Sequence, residues 1–363
     1  MHEPYRFAPA EGDIEPLSML DIDGALHPGA VAMKDDAALD ALELMILTRT
    51  FDEKATSLQR QGRFGTFSAV RGQEASVVGA ASALDPSRDW VVPQYRELPA
   101  LLRQGLPLEN FALYFMGHPL GGVIPDQVNI LPIQISLAAQ LPQAVGLAWG
   151  LQHQGQDAVV TVFIGDGASS EGDFHEALNL AGVRKAPVIF FLQNNGWAIS
   201  TPRRAQSAAR TLAERGPGYG VDGIIVDGND LFAVDAAMTE AVRKARAGEG
   251  PTLIESLTWR AGAHNTADDP SRYVTAEDEA PWAGTDPIER VEKYLTSRGI
   301  WTEELATEVR QRCATEVDRA LKVARATPPA GPAALFDHVY ASPPARTVAQ
   351  RTHWLATYED RHA

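Results

Sequence analysis

Acidic and amide side chains follow two apolar segments in the middle of the chain, where they could hold a metal ion. Asp166 comes shortly after the apolar run 159–164, and Asn195 comes shortly after a second run, 187–192. Runs of this length that are rich in β-branched and aromatic residues predict buried strands. A carboxylate and an amide oxygen are hard ligands of the kind magnesium prefers, with phosphate and water completing its six oxygens.

A helix pattern separates the two predicted strands. Its apolar positions recur at the spacing of an amphipathic helix packed on a sheet: Phe174, Ala177, Leu178 and Ala181. Ser170 and Asp173 are predicted to form the capping box that begins this helix. A strand, helix and strand in this order predict parallel neighbouring strands.

The ends of these strands are therefore predicted to form one site. Neighbouring strands lie about 5 Å apart, and parallel sheets bind ligands beyond the carboxyl ends of their strands. Asp166 and Asn195 can then share one ion, while Gly165 and Gly167 let a ligand approach the backbone. The amides at the start of the next helix favour an anion. These features together predict a site for magnesium and a diphosphate.

Other glycine-rich motifs fit this segment less well. The dinucleotide-binding fingerprint requires a third glycine where Ser170 stands, and the chain has no Gly-Lys-Ser or Gly-Lys-Thr of a P-loop. Either a Gly-Asp-Gly or an Asn-Asn pair alone is more often an ordinary turn or loop. Their joint placement at two strand ends favours the metal and phosphate interpretation.

The pattern Gly165-Asp166-Gly167, followed by Asn194-Asn195 at the next strand end, resembles the signature of thiamine-diphosphate enzymes. The surrounding sequence, from about residue 42 to 340, resembles the α subunit of the heterotetrameric 2-oxo acid dehydrogenases in their first, decarboxylating component. This is the family of the pyruvate and branched-chain 2-oxo acid dehydrogenases. The resemblance implies thiamine diphosphate and Mg²⁺ as cofactors and the diphosphate-binding domain of the thiamine-diphosphate fold.

The resemblance also implies roles for individual residues. Mg²⁺ would be held by the side chains of Asp166 and Asn195 and by the backbone carbonyl of Trp197. His264 would lie against the diphosphate near the path of the substrate and is the candidate catalytic residue. Gln193 stands where some relatives have an arginine, so one phosphate contact is expected to be weaker. The expected cofactor-binding residues are Tyr95, Arg96, Ile135, Leu137, Gly165, Asp166, Gly167, Ala168, Gln193, Asn195, Trp197 and His264.

Length and composition indicate one large α/β domain with extensions. The chain has 363 residues, 45% of them hydrophobic, and a net charge of −15 that argues against nucleic-acid binding. Its single cysteine, Cys313, excludes a disulfide within the chain. No apolar run reaches about 18 residues and the first residues lack a signal-peptide pattern, so we expect no membrane span and a cytoplasmic location.

The order of the elements predicts the domain organisation. Alternating strands and helices predict an α/β domain over residues 37–326, with a doubly wound, mostly parallel sheet flanked by helices. Residues 1–36 are rich in Pro and Gly and are predicted to be an arm with little structure of its own. A charged helical extension, Asp286 to Ala326, precedes a Pro-rich linker and C-terminal tail over residues 327–363.

The resemblance implies partners as well. In this enzyme class a glutamate that activates the cofactor belongs to a pyrimidine-binding domain, for which we find no candidate here. We therefore expect a separate β subunit to supply it, in an α2β2 assembly with the active sites at α/β interfaces. The acyl group of the 2-oxo acid substrate would pass to the lipoyl group of a partner acyltransferase in a multienzyme complex.

The sequence leaves the substrate open. The segment Asn129 to Gln140 looks more like bacterial pyruvate enzymes, whereas Arg215 to Gly220 and Gly262 to Asp269 look more like branched-chain ones. Pyruvate is favoured slightly, with a branched-chain 2-oxo acid a close second. Acetoin dehydrogenase shares the same scaffold. A non-catalytic binding or regulatory module on this domain is the alternative from another class of protein.

Overall fold

A five-stranded parallel sheet forms the centre of the computed structural model, which describes residues 15–337 and 339–362. The strand order is β1-β2-β3-β7-β6, and every neighbouring pair in it is parallel. A separate antiparallel pair joins β4 and β5. The strands are β1 Trp90–Val92, β2 Val160–Gly165, β3 Val188–Asn194, β4 Trp197–Ala198, β5 Thr201–Pro202, β6 Asp222–Asp227 and β7 Thr252–Leu257.

Helices pack on both faces of the sheet and continue beyond it. In chain order they are α1 Asp35–Arg60, α2 Glu74–Ser82, α3 Leu98–Arg103, α4 Leu108–Phe115, α5 Gln140–His153, α6 Gly172–Arg184, α7 Arg203–Gln206, α8 Leu231–Arg246, α9 Ala276–Glu279, α10 Pro287–Ser297, α11 Glu303–Ala326, α12 Ala334–Asp337 and α13 Ala345–His362. None of these helices is both long and apolar enough to cross a membrane, over the part of the chain described here.

The alternation of side chains along the strands explains why both faces are covered. Val160 and Val162 of β2 belong to one apolar core, which they share with α5 and α6. Phe163, between Val162 and the end of the strand, belongs to the core on the opposite face, with α2 and α8. Successive side chains of a strand point to opposite faces, so a strand that is apolar throughout must be buried on both. The predicted doubly wound, mostly parallel α/β fold is confirmed.

The helix that follows β2 begins differently from the prediction. Ser170 is the last residue of a 3-10 turn, Gly167–Ser170, and α6 begins two residues later with Glu171 at its N-cap. The N-cap residue is Glu171 and its side chain makes no capping hydrogen bond, so the predicted capping box of Ser170 and Asp173 is wrong. Residues 167–170 form this 3-10 turn instead of the first turn of the helix, so the helix start is shifted along the chain. The predicted apolar stripe of α6 is buried as expected.

The N-terminal segment of the described chain binds to the sheet edge. Leu17 forms a parallel bridge with Val226 of β6, and Leu20 is completely buried. The carboxylate of Asp230 accepts hydrogen bonds from the backbone N–H groups of Met19 and Leu20, at 2.6 and 2.7 Å. Residues 1–14 lie outside the described residues, and the predicted boundaries at 36 and 326 stay predictions. The predicted charged helical region is divided into α10 and α11.

We expect the change Asp230→Ala to destabilise the fold more than loss of an ordinary helix cap. One oxygen of Asp230 caps α8 by accepting from the N–H groups of Phe232 and Ala233, and the other binds residues 19 and 20. A cap contributes about 0.5–2 kcal/mol, and each buried donor left unpaired costs about 1–3 kcal/mol. We therefore expect a loss of roughly 3 kcal/mol in the free energy of unfolding, measured by urea denaturation.

The matched control is Thr302→Ala. Thr302 is exposed and caps α11 through a single N–H group, that of Leu305. Its loss should cost about 1 kcal/mol. Equal effects of the two changes would show that the contacts of Asp230 to residues 19 and 20 do not contribute to stability.

Candidate active site

One cavity of about 430 Å³ opens beyond the carboxyl ends of β1, β2 and β3. It is lined by the loops that follow these strands, by the loop after β7, and by segments that precede α2 and α5. All twelve cofactor-binding residues expected from the sequence line it: Tyr95, Arg96, Ile135, Leu137, Gly165, Asp166, Gly167, Ala168, Gln193, Asn195, Trp197 and His264. The structure thus brings together residues that lie up to 169 positions apart in the chain.

Asp166 is a buried carboxylate immediately beyond β2. The strand register pairs Gly165 with Gln193, which places Asp166 beside the end of β3. Asp166 is 2% exposed, and its Oδ2 accepts a hydrogen bond of 3.1 Å from the side-chain amide of Gln206. Burial raises the pKa of Asp166 to about 6, because removing a carboxylate from water disfavours its charged form. A cation at this carboxylate would restore the charged form.

Asn195 is held by two hydrogen bonds beyond the end of β3. Its Oδ1 accepts from the backbone N–H of Trp197 at 3.2 Å, and its Nδ2 donates to Oε1 of Gln73 at 3.2 Å. Trp197 is buried, and its ring packs against that of Tyr273 at 5.4 Å. An amide oxygen has two lone pairs, so Oδ1 of Asn195 can accept from Trp197 and still bind a ligand.

Gly167 allows the chain to pass close to the hairpin of β4 and β5. A Cβ at this position would lie 2.6 Å from the Cβ of Ala198. A side chain at 167 would therefore push the hairpin away from the cavity or close part of it. Ala168, the next residue, is buried and lines the cavity with Gly167.

Arg96 is buried, and its guanidinium group is fixed by the backbone. It donates to the carbonyl oxygen of Ala69 and, at 3.0 Å, to that of His264. The Cζ atom of Arg96 lies over the ring of Tyr95, 5.6 Å from the ring centroid, which is a cation–π contact. A guanidinium group has five N–H donors, so Arg96 retains donors for an anion in the cavity.

His264 lies between two positive charges. Its Nδ1 is 3.5 Å from a guanidinium nitrogen of Arg96 and 3.5 Å from one of Arg260. Partial burial and these two charges lower the pKa of His264 to about 4. The ring is therefore neutral at pH 7. Because Nδ1 faces two donors, it is the unprotonated nitrogen, and the proton is assigned to Nε2.

Apolar residues form the outer wall of the cavity. Ile135, Leu137 and Ile199 line it and are 55%, 40% and 55% exposed. Ile199 has a φ of 55°, which is rare for a β-branched residue, and its carbonyl oxygen accepts from Arg260 at 2.9 Å. Ala138, next to Leu137, also has a positive φ, of 63°. One irregular backbone position, Ile199, therefore lies in the cavity wall, and the other, Ala138, directly follows a lining residue.

Among the residues that were not assigned from the sequence, four form hydrogen bonds in or behind the site. Gln94 accepts from the N–H of Gly165 at 3.2 Å, and Gln206 and Gln73 bind Asp166 and Asn195 as described above. Glu97 accepts hydrogen bonds from two backbone N–H groups, those of Gln94 and Arg96. Its burial raises the pKa of its carboxyl group to about 7, although these hydrogen bonds act in the opposite direction. Gln94 and Glu97 flank the assigned Tyr-Arg pair, so their position in the sequence was the only available signal.

The polar atoms of the cavity fit a ligand that combines a cation with an anion. Among residues 15–337 and 339–362, no group of three or more His, Cys, Asp or Glu side chains could hold a metal ion. The candidate set here is of another kind: one carboxylate, one amide oxygen and one backbone carbonyl, which is oxygen chemistry suited to Mg²⁺. Buried side-chain atoms of Gln94 (Nε2) and Gln193 (Oε1) also have no partner within the described chain. A polar ligand would satisfy such atoms.

Comparison with known proteins shows the family to which the chain belongs. Residues 42–333 match the family described as "Dehydrogenase E1 component". The pyruvate dehydrogenase E1 component subunit alpha of Staphylococcus epidermidis strain ATCC 35984 is 42% identical over 343 residues, which are 94% of this chain and 92% of the relative. The protein of the same name from Staphylococcus aureus strain Mu50 is 42% identical over 319 residues, 88% and 86% of the two chains. The chain belongs to the dehydrogenase E1 component family.

We expect the pKa of His264 to rise when Arg260 is replaced by methionine. The change removes one of the two positive charges at Nδ1, so protonation of the ring becomes easier. The pKa can be followed by NMR of ¹⁵N-labelled histidine, with the signal assigned by its loss in His264→Gln. An unchanged pKa in the methionine variant would mean that the charge of Arg260 does not contribute and that burial and Arg96 keep the ring neutral.

The same shift predicts a contribution to pH dependence. The pKa of His264 is lower in the folded chain than its ordinary value of 6.5, so the unfolded chain binds the proton first as the pH falls. The contribution of His264 to the free energy of unfolding is therefore complete above pH 6.5 and is lost as the pH falls from 6.5 to about 4. The dependence in this window should be smaller in His264→Gln, as measured by thermal unfolding against pH.

Proposed function

We propose that this chain is the α subunit of a thiamine-diphosphate-dependent 2-oxo acid dehydrogenase. It would take part in oxidative decarboxylation of a 2-oxo acid and in transfer of the acyl group to the lipoyl group of a partner acyltransferase. The observation that carries the proposal is the cavity in which Asp166 and Asn195 meet at the ends of neighbouring parallel strands. The relatives named above, at 42% identity over most of the chain, support it.

Mg²⁺ and the diphosphate would occupy the inner part of the cavity. Asp166, Asn195 and the backbone carbonyl of Trp197 would hold the metal ion. Arg96 would donate to the diphosphate, with Tyr95, Gly167 and Ala168 around it. Thiamine diphosphate, when bound, supplies the nucleophilic carbon and the electron sink for decarboxylation. The chain would supply placement, charge compensation and exclusion of water.

His264 would act as a hydrogen-bond donor in this site. Its ring is neutral at pH 7, and with Nδ1 facing two guanidinium groups, Nε2 carries the proton. A neutral imidazole can donate from Nε2 without adding a third positive charge beside Arg96 and Arg260. It could therefore orient an oxygen of the diphosphate or of the substrate, and we assign it the catalytic role on this side of the cavity.

A β subunit would cover the outer wall. Ile135, Leu137 and Ile199 line the cavity and are partly exposed in the isolated chain, which suits a site completed by another subunit. That subunit would supply the pyrimidine-binding domain and the activating glutamate in an α2β2 assembly. The acyl acceptor would reach the site as the lipoyl group of the acyltransferase. A cytoplasmic location remains a prediction.

Pyruvate is the favoured substrate, since the relatives compared above are named for pyruvate dehydrogenase. A branched-chain 2-oxo acid remains the second candidate, because two loops of the chain resemble branched-chain enzymes. Acetoin dehydrogenase is the alternative within the same scaffold. A non-catalytic module is less favoured, because the charged and amide groups of the cavity are all present and brought together.

We expect Asp166→Ala to abolish decarboxylation of the 2-oxo acid, because the variant would no longer bind Mg²⁺. Removal of a residue that only orients a ligand typically costs about 10–100-fold in metal affinity, so loss of a direct ligand should cost at least roughly 100-fold. Mg²⁺ binding by the chain assembled with its β subunit can be measured by calorimetry with saturating thiamine diphosphate. Asp173→Ala is the control, since it removes an exposed carboxylate outside the cavity. Wild-type affinity in Asp166→Ala would refute the metal assignment.

The substrate is tested by kcat/KM of the assembled α and β subunits with an artificial electron acceptor. We expect the value for pyruvate to exceed that for 3-methyl-2-oxobutanoate by at least roughly 10-fold, because one added methylene changes discrimination by roughly 10–200-fold and this acid carries two more carbons. A preference for 3-methyl-2-oxobutanoate would identify a branched-chain enzyme instead. Turnover of neither acid by an assembled, metal-loaded complex would favour acetoin or the non-catalytic alternative.

A further inference from the structure

Gln73 is a buried amide beneath the cavity that contacts the candidate metal site. It is 0% exposed, does not line the cavity and lies directly before α2. Its Oε1 accepts from Nδ2 of Asn195 at 3.2 Å and lies 3.5 Å from Nε2 of Gln193. Two side chains from the end region of β3 therefore converge on one oxygen atom of Gln73.

The backbone of Gln73 is held rigidly. Its N–H donates to the carbonyl of Val70 at 2.9 Å, which closes a turn before the helix. Gly72 within this turn has a φ of 90°, and a Cβ there would lie 2.3 Å from the carbonyl oxygen of Trp259. The hydroxyl of Thr258 donates to the carbonyl of Gly72 at 3.1 Å. The turn is thus packed against the residues that follow β7, so the backbone position of Gln73 is fixed.

The hydrogen bonds determine which way each amide points. The backbone N–H of Trp197 can only donate, so the atom of Asn195 that faces it must be the oxygen. The NH₂ group of Asn195 then faces Gln73, which must present its own oxygen. A reversed Gln73 would direct its NH₂ group at the NH₂ group of Asn195. The unambiguous donor at Trp197 thus fixes the assignment of both amides.

We propose that Gln73 is a positioning residue for the metal site, whose side-chain oxygen fixes the Asn195 amide so that Oδ1 is available to Mg²⁺. This inference rests on the proposed function. Nε2 of Gln73 has no partner among the described residues, so its orientation depends on the hydrogen bonds that its oxygen accepts. Without that oxygen the NH₂ group of Asn195 would be buried and unpaired, and the amide could rotate away from the metal position.

A neutral amide suits this role at the back of a metal site. A glutamine accepts the hydrogen bond of Asn195 without adding charge next to the buried carboxylate of Asp166. Hydrogen bonds of this kind orient metal ligands, and their loss typically reduces metal affinity about 10–100-fold. The effect should therefore be seen in Mg²⁺ binding.

The test uses the chain assembled with its β subunit, stripped of metal and saturated with thiamine diphosphate. Gln73→Met keeps the side-chain length and removes the acceptor, so Mg²⁺ affinity measured by calorimetry should fall roughly 10–100-fold. Gln73→Glu retains an acceptor at the same place, so its affinity should stay within about threefold of wild type or exceed it. At saturating Mg²⁺ the kcat of both variants should return to near the wild-type value.

Gln104→Met is the matched control. Gln104 is also buried, donates to the carbonyl of Asp89 at 2.8 Å and does not line the cavity. Its variant should lose some stability in thermal unfolding but keep wild-type Mg²⁺ affinity. Equal loss of affinity in Gln104→Met and Gln73→Met would overturn the inference, because the effect would then be a general loss of packing.

Two other outcomes would also overturn it. Wild-type Mg²⁺ affinity in Gln73→Met would show that Asn195 does not need the contact. If Gln73→Met does not fold, the Mg²⁺ affinity of Gln73→Glu decides instead. A loss of about 10-fold or more in that variant would contradict the proposal that the side-chain oxygen of residue 73 orients Asn195. Asp166→Ala distinguishes failure of this inference from failure of the proposed metal site: wild-type Mg²⁺ affinity in that variant refutes the metal assignment on which the inference rests, whatever the result for Gln73.

Discussion

A carboxylate buried at the end of a central parallel strand is the constraint on which this site depends. Asp166 follows a strand that is apolar on both faces, and it is shielded from water by the loops beyond β1 and β3. Burying a charge without compensation is unfavourable, which is why its pKa is raised to about 6. The neighbouring amide groups form hydrogen bonds around this carboxylate and leave oxygen atoms that could bind a cation beside it.

The polar groups in and behind the cavity are of two kinds. Amides of Gln73, Gln94, Gln206 and Asn195 surround the strand ends, and they donate and accept without adding charge. The guanidinium groups of Arg96 and Arg260 lie around a neutral histidine ring. Groups of these two kinds in one site would suit a ligand that combines a cation with phosphate oxygens.

The outer side of the cavity has a different character. It is formed by partly exposed aliphatic side chains on irregular backbone, including Ile199 with its positive φ. Irregular backbone of this kind costs energy and persists where surrounding contacts determine it, here in part the hydrogen bond from Arg260 to the carbonyl of Ile199. An apolar outer wall beside a polar interior is consistent with a site that a second subunit closes.

The sequence by itself determined the parallel sheet and the pairing of its two site strands, because apolar runs and helix periodicity are local patterns. It also identified Asp166 and Asn195, since polar residues directly after buried strands must emerge at the same edge. Resemblance to a family added Tyr95, Arg96 and His264, which no local pattern distinguishes from ordinary surface residues. Only the tertiary structure revealed the contacts of Gln73 and Gln206 and the start of α6 after a 3-10 turn. These depend on which side chains meet across the fold, at separations of 122 residues for Asn195 and Gln73 and 40 for Gln206 and Asp166. Hydrogen bonds between distant segments leave no periodic trace in a sequence, so packing alone decides them.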